Sequence, residues 1–359
     1  MQPREVARRR IANQFLLVTP HATPVEVVAA LGAVQAQDYH GAKWGVAQRT
    51  TGATDADLER AVAGGVIIRT HVLRPTWHFV APADLRWMLE LTGPRIANGM
   101  PARHRELEID AAVRRRASRA LATALRDGRH HTRAEIAAVF QRAGIDLRDR
   151  QRLAHLLMLA ELDALVCSGP LRGKQFTWAL LDERVPSAPS LPRDEAVAEL
   201  VRRYFTTRGP ATPHDFAWWS GLTTADAKRG LEMLGAAMER VVVDDRAHWF
   251  AADSDPPGGR ALRAHLLPSY DELFVGLRDR SALTQAAERA GVADDALPLG
   301  GPAITLDGQA VGTWRRTLRG STALVELAPI VKLADRARRA IAAQVERYGA
   351  FLGVSARLA

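Results

Sequence analysis

The sequence has only one cysteine, Cys167, in 359 residues. A single cysteine excludes an internal disulfide and any metal site that needs several thiolates. The neighbouring Leu165 and Val166 predict a thiol packed in the core rather than a nucleophile. The eleven histidines have no metal-ligand partners at zinc spacing, and no Gly-rich phosphate loop is present. We therefore expect no metal and no cofactor.

Long hydrophobic runs are also missing. No segment approaches the roughly 20 apolar residues that cross a bilayer. The basic start, residues 1–15, is not followed by the apolar stretch of a signal peptide. With 47% hydrophobic and 25% charged residues, the composition is typical of a globular protein, and the length suits two or more modules. These features predict a cytoplasmic protein without a membrane partner.

Acidic residues are outnumbered by basic ones. The chain has 49 Lys and Arg against 40 Asp and Glu, a formal net charge of +9, and a sequence pI of about 10.4. This surplus favours a polyanionic partner, with nucleic acid as the first choice. An Arg-rich and Ala-rich composition also reflects a high-GC genome, so the charge leaves both explanations open.

Three segments repeat one helix-start pattern: residues 23–26 (Thr-Pro-Val-Glu), 132–135 (Thr-Arg-Ala-Glu) and 212–215 (Thr-Pro-His-Asp). In each, the threonine hydroxyl can accept a hydrogen bond from an unpaired amide, and the acid three residues later can reach back to the cap. A proline at the first helical position loses no hydrogen bond. The pattern therefore predicts three helices with similar starts.

Each predicted helix is followed by a second helical pattern and then by strand-like residues. The second helices are predicted at 55–62, 149–162 and 224–234, and the strand-like segments at 66–80, 166–178 and 241–250. Helix, helix and two-stranded wing is the order of a winged helix-turn-helix, and its threefold occurrence is more informative than one. Capped helix pairs also occur in many α-rich proteins, which leaves an ordinary helical arrangement as the alternative.

Residues 261–330 lose the helical periodicity. A hairpin is predicted at Asp307-Gly308, between the alternating runs 303–306 and 311–314. The region is typical of a small β-barrel or sandwich, closed by a helix from about Leu333 to Tyr348. Residues 253–259 indicate a linker. The predicted fold is α+β, with three tandem winged-helix modules and a C-terminal β-barrel. The predicted boundaries are 1–95, 96–190, 191–255 and 256–359.

Several motifs then occur in a fixed order. They are residues 34–39 (Val-Gln-Ala-Gln-Asp-Tyr), 69–78 (Arg-Thr-His-Val-Leu-Arg-Pro-Thr-Trp-His), 208–222, 267–272 (Leu-Pro-Ser-Tyr-Asp-Glu) and 307–316. Together they resemble the AlkZ/YcaQ family of winged-helix DNA glycosylases over essentially the whole chain. The resemblance implies tandem winged helices around a DNA-sized concavity. It also implies hydrolysis of the N-glycosidic bond of N7-alkylated purines in double-stranded DNA, including interstrand crosslinks.

The family's catalytic signature is Gln, an apolar residue, then Gln or Asp. Gln35-Ala36-Gln37 matches the Gln/Gln form, so the resemblance assigns catalysis to Gln35 and Gln37. A purine alkylated at N7 is cationic and leaves without a general acid. Two amide oxygens can then orient the attacking water and stabilise the positive sugar. Asp38 follows one position too late to replace Gln37, although a role for it as a general base is an open alternative.

Basic and aromatic residues near these motifs are the predicted DNA contacts: Lys43, Trp44, Arg69, His71, Arg74, His78, Arg315 and Arg316. For the two histidines, a hydrogen-bonded position within a strand is an equal alternative. No lysine stands out as a Schiff-base nucleophile, which favours a monofunctional glycosylase that leaves an abasic site. A crosslinked base cannot swing into a deep pocket, so we expect a shallow basic cleft.

Two other functions fit the same features. One is a winged-helix transcriptional regulator without catalysis, and the other is a module that binds lesions but has lost activity. Regulators usually dimerise on symmetric half-sites. Three unlike modules in one chain instead favour a monomer that binds around damaged DNA.

Overall fold

The computed structural model describes residues 1–185, 187, 190–254, 262–292 and 300–359. The chain forms two compact units. The first unit combines Met1–Leu58 with Val197–Ala359, and the second is Glu59–Ala196. The four sequence segments proposed above stay a prediction. Residues 255–259 of the predicted linker lie outside the described residues.

The helices and strands are numbered in chain order. The helices are α1 (Pro3–Asn13), α2 (Pro24–Leu31), α3 (Tyr39–Ala47), α4 (Asp55–Ala63), α5 (Pro82–Asn98), α6 (Pro101–Glu106), α7 (Ala111–Leu125), α8 (Arg133–Arg142), α9 (Arg150–Leu162), α10 (Leu181–Arg184), α11 (Arg193–Arg208), α12 (Pro213–Ser220), α13 (Thr224–Leu234), α14 (Glu272–Val275), α15 (Ser281–Arg289) and α16 (Asp335–Leu352). The strands are β1 (Val34–Gln35), β2 (Ile68–Val72), β3 (Arg74–Val80), β4 (His131–Thr132), β5 (Val166–Ser168), β6 (Thr177–Leu180), β7 (Met238–Val243), β8 (Arg246–Ala251), β9 (Ala264–Leu267), β10 (Ala303–Leu306), β11 (Gln309–Arg319), β12 (Thr322–Pro329) and β13 (Ser355–Leu358).

The three predicted helix starts are confirmed at α2, α8 and α12. In each, the acid of the third helical position accepts a hydrogen bond from the cap's backbone amide. The distances are 2.9 Å for Glu26, 2.7 Å for Glu135 and 2.8 Å for Asp215. Because these bonds satisfy amides that the helix leaves unpaired, the local sequence is sufficient to specify where each helix begins.

One helix next to the Gln35-Ala36-Gln37 motif, α3, was not predicted from the sequence pattern. An amphipathic helix shows apolar residues on one face only, but most of α3 is buried on all sides. Two glycines, Gly41 and Gly45, weaken its intrinsic propensity further. Its start is nevertheless well defined, because the Asp38 carboxylate accepts a hydrogen bond from the Gly41 amide at 3.1 Å.

The second helices and the three hairpins form close to their predicted positions. Helices α4, α9 and α13 match the second helices, and the hairpins are β2–β3, β5–β6 and β7–β8. The β7–β8 turn uses Asp244 and Asp245 with φ of 47° and 59°. Positive φ at both central residues matches the right-handed twist of a two-residue hairpin, which explains why this turn could be predicted.

The second unit has one main hydrophobic core. Helices α5, α7, α8 and α9 surround it, and β5 and β6 contribute Val166 and Trp178. Leu121, Leu125, Ile136 and Phe140 have no exposed surface. Leu153, Leu156 and Leu157 lie on one face of α9 and pack into this core. Cys167 is buried beside it on β5, and burial raises the pKa of its thiol to about 12.

A five-stranded sheet in the first unit has the order β13-β12-β11-β10-β9. The hairpin at Asp307-Gly308 is confirmed: Leu306 pairs with Gln309, and the two turn residues have φ of 49° and 81°. Neighbouring strands are antiparallel except for the parallel pair β12 and β13.

The predicted small β-barrel is found only in part. Strands β9 and β13 are the two edges of the sheet, so it is an open half-barrel. Helix α16 packs against β9 and β13, and its Ile341, Val345 and Phe351 are buried. A covering helix can bury the apolar face of an open sheet, so strand closure is not needed. Among the described residues, no helix is long and apolar enough to cross a membrane.

Candidate functional site

A hollow in the first unit begins directly after the Gln-Ala-Gln motif. It has a cavity volume of about 170 Å³. We call it the motif hollow. Its walls come from the start of α3, the loop after β9, strand β11 and helix α16, and it is lined by Asp38, His40, Gly41, Trp44, Pro268, Ser269, Pro302, Trp314, Arg315, Arg316 and Tyr348. Residues that are distant in sequence therefore meet beside the motif.

The inner wall of the motif hollow is aromatic. The indole nitrogens of Trp44 and Trp314 donate to the carbonyls of Leu266 and Leu267, each at 2.7 Å. The Tyr348 ring packs edge-on against both indoles, with centroid distances of 5.0 Å and 5.3 Å. Because both indoles are tied to β9, the wall is rigid.

Close approach around Gly41 shapes the same wall. A Cβ atom there would lie 2.6 Å from an Asp38 carboxylate oxygen and 3.1 Å from Pro268. Any side chain would push the Asp38 carboxylate out of its capping position. Glycine at this position therefore keeps α3 and the loop after β9 in contact.

The rim of the motif hollow is charged. Arg315 and Arg316 are exposed on β11, and Arg315 forms an ion pair with Glu326. The Arg316 guanidinium lies 5.8 Å from the centre of the Tyr348 ring. Burial raises the pKa of Tyr348 to about 12, while Arg316 opposes the rise, so the hydroxyl keeps its proton at neutral pH. The rim thus offers cations and hydroxyl donors to an anionic ligand.

The backbone of Gln35 is held from behind by a buried carboxylate. Glu272 accepts a hydrogen bond from the Gln35 amide at 2.7 Å and from the Trp219 indole at 3.0 Å. Its charge is compensated by Arg208, whose guanidinium donates at 2.6 Å and 3.2 Å. Gln35 is 6% exposed. We call these supporting residues the Glu272 clamp.

Arg208 extends the clamp along the chain before the motif. Its guanidinium also donates to the carbonyls of Leu31 and Ala33, at 2.9 Å and 3.1 Å. It stacks on the Trp219 ring, 4.2 Å from its centre. Every polar group of this pair therefore has a partner, which a buried ion pair needs if it is not to destabilise the fold.

A second buried pair holds the opposite side of the motif. Arg49, at the end of α3, donates two hydrogen bonds to Asp271, at 2.8 Å and 2.9 Å. The same guanidinium donates to the Gln14 carbonyl at 3.0 Å and the Gly45 carbonyl at 2.8 Å. The adjacent acids Asp271 and Glu272 thus connect the loop after β9 to both ends of the motif region.

The two motif glutamines have different surroundings. Gln37 is exposed and directly precedes Asp38, which lines the motif hollow, whereas Gln35 is buried. Because Gln37 is exposed, its side chain is accessible to a ligand. Gln35 is buried, and its backbone hydrogen bond to Glu272 holds the motif segment in place. Asp38 caps α3 in addition to lining the hollow, so its carboxylate has a structural task.

Most of the predicted DNA contacts are buried. Lys43 is 1% exposed and pairs with Asp55, with 2.9 Å between its amine and the carboxylate. The Trp44 side chain is buried in the wall of the motif hollow and is not on the protein surface. His78 has no exposed surface, and its Nδ1 lies 2.9 Å from the Thr76 carbonyl. For these residues the structure favours an internal role, because their side chains are already packed and hydrogen-bonded.

In the second unit, Arg69 and His71 are also buried. The Arg69 guanidinium lies between the rings of Trp77 and Phe176, 4.4 Å and 4.5 Å from their centres. His71 Nδ1 lies 2.5 Å from a carboxylate oxygen of Glu161. Arg74 is half-buried at the start of β3. Of the eight predicted contacts, only Arg315 and Arg316 are exposed.

The two buried ion pairs, Arg208 with Glu272 and Arg49 with Asp271, were not predicted from the sequence. Asp271 and Glu272 belong to the motif at residues 267–272, but only the three-dimensional structure shows that both side chains are buried. A detectable signal was two adjacent acids after Pro268-Ser269-Tyr270, followed by the apolar residues of α14. Acids inside an apolar stretch indicate a buried charge with a distant partner.

Among the described residues, no group of three or more His, Cys, Asp or Glu side chains could hold a metal ion. The motif hollow combines one carboxylate, two guanidiniums and aromatic rings. This set suits binding of a polyanion and stabilisation of a cation.

Comparison with known proteins agrees with this arrangement. The family model described as DNA glycosylase AlkZ-like matches residues 28–351. A curated protein from Streptomyces sahachiroi, named interstrand DNA cross-link repair glycosylase, is 25% identical over a 337-residue alignment, and the match covers 87% of each chain. The solved structure of Streptomyces sahachiroi DNA glycosylase AlkZ superposes with a TM-score of 0.76 at 22% identity and covers all of both chains.

The family model defines the class of the protein as a DNA glycosylase. Since the match covers nearly the whole chain, the protein belongs to the AlkZ-like DNA glycosylase family.

Proposed function

We propose that this enzyme hydrolyses the N-glycosidic bond of N7-alkylated purines in duplex DNA, including purines joined in interstrand crosslinks. The observation that carries the proposal is the exposed Gln37 beside the motif hollow, on a segment held rigidly by the Glu272 clamp. The printed name of the Streptomyces sahachiroi relative, an interstrand cross-link repair glycosylase, supports the choice of lesion.

The chemistry places modest demands on the protein. An N7-alkylated guanine is a cation and a good leaving group, so no strong acid is required. The sugar becomes electron-poor as the bond breaks, and a water must attack it. The Gln37 carbonyl orients this water, and the buried Gln35 holds the segment that carries Gln37 in place. Amide oxygens placed in advance stabilise the developing positive charge without reorganisation.

Asp38 is a second possible base at this site. Its carboxylate lines the hollow but already accepts the Gly41 amide, and moving it would uncap α3. We therefore assign the water to Gln37. Lys43 is buried and paired with Asp55, which does not suit a Schiff-base nucleophile. The product is accordingly an abasic site with an intact strand.

DNA is held outside the motif hollow by the exposed arginines of β11. Arg315 and Arg316 flank the rim, where phosphates can reach them. The three helix–helix–hairpin segments act as tandem winged helices that position the duplex. The shallow hollow reaches a glycosidic bond without full extrusion of the base, which a crosslinked base would prevent. A monomer is sufficient for these contacts, and a DNA substrate favours the cytoplasm.

The test is excision from a duplex with one N7-methylguanine, followed by alkaline cleavage of abasic sites. Gln37→Ala should lower the single-turnover rate on the order of 10²-fold while duplex binding persists. Gln141→Ala, which changes an exposed glutamine on α8, is the matched control and should act as the wild type does. Full activity of Gln37→Ala would overturn the assignment. Sequence-specific retention of undamaged DNA without excision would support the regulator instead.

A further inference from the structure

The second unit contains a hollow of its own, with a cavity volume of about 200 Å³. We call it the tryptophan hollow. The residues that matter for its chemistry are His71, Trp77, Arg133, His155 and Trp178. This volume lies below the 300–1,000 Å³ of drug-sized pockets, so it suits a single small ring system.

One wall is an aromatic stack that the protein holds in place. The Trp77 ring contacts the His71 ring, with 4.5 Å between centroids, and carries the Arg69 guanidinium at 4.4 Å. The Phe176 ring lies against the same guanidinium at 4.5 Å. A cation between two rings restricts their rotation, so the Trp77 ring is fixed before any ligand binds.

The buried carboxylate of Glu161 orients two side chains that line the hollow, His71 and Trp178. Glu161 accepts hydrogen bonds from the His71 amide at 2.8 Å and from the Trp178 indole at 2.6 Å, and contacts His71 Nδ1 at 2.5 Å. Burial raises the pKa of Glu161, but the charge and hydrogen bonds of His71 outweigh it and lower the pKa overall. The ionised carboxylate therefore orients both rings, which is the preorganisation that a stacking site needs.

Two buried polar atoms of the lining have no hydrogen-bond partner in the part of the chain that the structure describes. They are the Trp77 indole nitrogen, a donor, and His155 Nδ1. Burial lowers the pKa of His155, with smaller contributions from His104 and Arg103, so the imidazole is neutral and can accept or donate. Unsatisfied buried groups are costly, and they suit a ligand with acceptors and donors on a flat ring.

The hollow has a cation on its lining. Arg133 is exposed at the start of α8. Within the part of the chain that the structure describes, its guanidinium donates one long hydrogen bond, 3.4 Å, to the Arg150 carbonyl. Fixed indole rings, unsatisfied ring nitrogens and a guanidinium on one small cavity match a heteroaromatic base linked to a phosphate.

We propose that the tryptophan hollow binds one unstacked nucleotide, with the base against Trp77 and the phosphate at Arg133. The choice of DNA as the source of that nucleotide rests on the proposed function, whereas the nucleotide chemistry rests on the hollow alone. A base displaced from a damaged duplex and a free nucleotide present the same groups. Separate experiments distinguish the two sources.

The first experiment titrates deoxyguanosine monophosphate into the full-length protein and follows tryptophan indole N–H signals by NMR. Trp77→Phe identifies the Trp77 signal. We expect this signal to shift, with a dissociation constant on the order of 1–10 mM. The Trp218 indole, hydrogen-bonded to the Val275 carbonyl in the first unit, should not move. A Trp77 signal that stays unchanged at saturating ligand would overturn the proposal.

Arginine variants test the phosphate contact. Arg133→Gln should weaken nucleotide binding about three- to fivefold, since one exposed ion pair is lost. Arg142→Gln, at the other end of α8 and also exposed, is the matched control and should bind as the wild type does. Equal binding of deoxyguanosine and its monophosphate, or no effect of Arg133→Gln, would contradict a nucleotide as the ligand.

Two duplexes separate the sources of the nucleotide. One has a single extrahelical guanine, and the other is fully paired. A shift of the Trp77 signal with the first duplex only would place a DNA base in the hollow. A shift with the free nucleotide only would retain the nucleotide site but reject DNA as its source. Excision by Gln37→Ala is measured in parallel, because loss of excision with nucleotide binding retained tests the two proposals independently.

Discussion

The two hollows are similar in size but are built in opposite ways. In the motif hollow, charged groups line the rim, and the buried acids Asp271 and Glu272 lie behind the backbone. In the tryptophan hollow, the buried acid Glu161 directly orients two lining side chains. The two units also differ in charge. The second unit has 22 Lys and Arg against 16 Asp and Glu, a net charge of +6. It therefore has two-thirds of the chain's net charge of +9 in fewer than half of its residues.

The two buried carboxylates hold different parts of the protein. Glu272 holds a backbone segment, so its loss should displace every side chain of the motif together. Glu161 holds individual rings, so its loss should loosen one wall and leave the backbone in place.

The largest effect is expected for Glu272→Gln. This change leaves Arg208 as a buried charge without a counter-ion, which should lower the free energy of unfolding by about 3–5 kcal/mol. Excision per folded molecule should fall as well, because the backbone N–H of Gln35 then donates to a weaker, uncharged acceptor. Urea unfolding and single-turnover excision at low temperature measure the two effects. Glu106→Gln, in an exposed pair with Arg103, is the control and should cost at most about 1 kcal/mol.

Acid should destabilise the first unit through His265 on β9. This histidine is fully buried, and its Nε2 donates to the Leu16 carbonyl at 2.9 Å. Burial lowers its pKa from 6.5 to about 4. Between these pH values the unfolded chain binds a proton that the folded chain does not bind. Stability should therefore fall as the pH drops from 6.5 to 4, by on the order of 3 kcal/mol.

The His265 expectation is tested by urea unfolding at pH 7 and at pH 4.5. His265→Gln retains a donor toward Leu16 but cannot gain a charge, so its stability should depend less on pH than that of the wild type. His214→Gln removes an exposed histidine and should retain the wild-type dependence. Identical pH dependence in all three proteins would exclude His265 as the cause.

A smaller effect is expected for Glu161→Gln. The amide keeps the shape of the side chain but accepts weaker hydrogen bonds, so unfolding should become easier by about 1–3 kcal/mol. Nucleotide affinity of the tryptophan hollow should fall more than excision per folded molecule. If Glu161→Gln lowered excision as strongly as Glu272→Gln, the distinction between the two acids would fail.

The smallest effect concerns the rim of the motif hollow. Arg316→Gln should weaken duplex binding and reduce the slope of log affinity against log salt by about 0.9, the value for one phosphate contact. The same assay with Arg289→Gln, an exposed arginine on α15, should leave the slope unchanged. A slope unaffected by Arg316→Gln would show that this arginine does not contact phosphate.

Local signals predicted much of the fold. The caps at Thr132 and Thr212 and the turn at Asp307-Gly308 depend on residues within a few positions of each other, so they could be read from the chain. Helix α3 could not be predicted from the sequence, since burial on all sides removes the amphipathic pattern. The open half-barrel could not either, because the packing of α16 on β9 joins residues far apart in sequence.

The amino-acid sequence was sufficient to locate the Gln35-Ala36-Gln37 motif and to indicate the family. It could not show that Lys43, Arg69 and His71 are buried, because their partners are packed against them only in the folded chain. The Glu272 clamp joins the motif to residues 208, 219 and 272. Only tertiary structure brings such partners within hydrogen-bonding distance, and a buried charge is stable only when they meet.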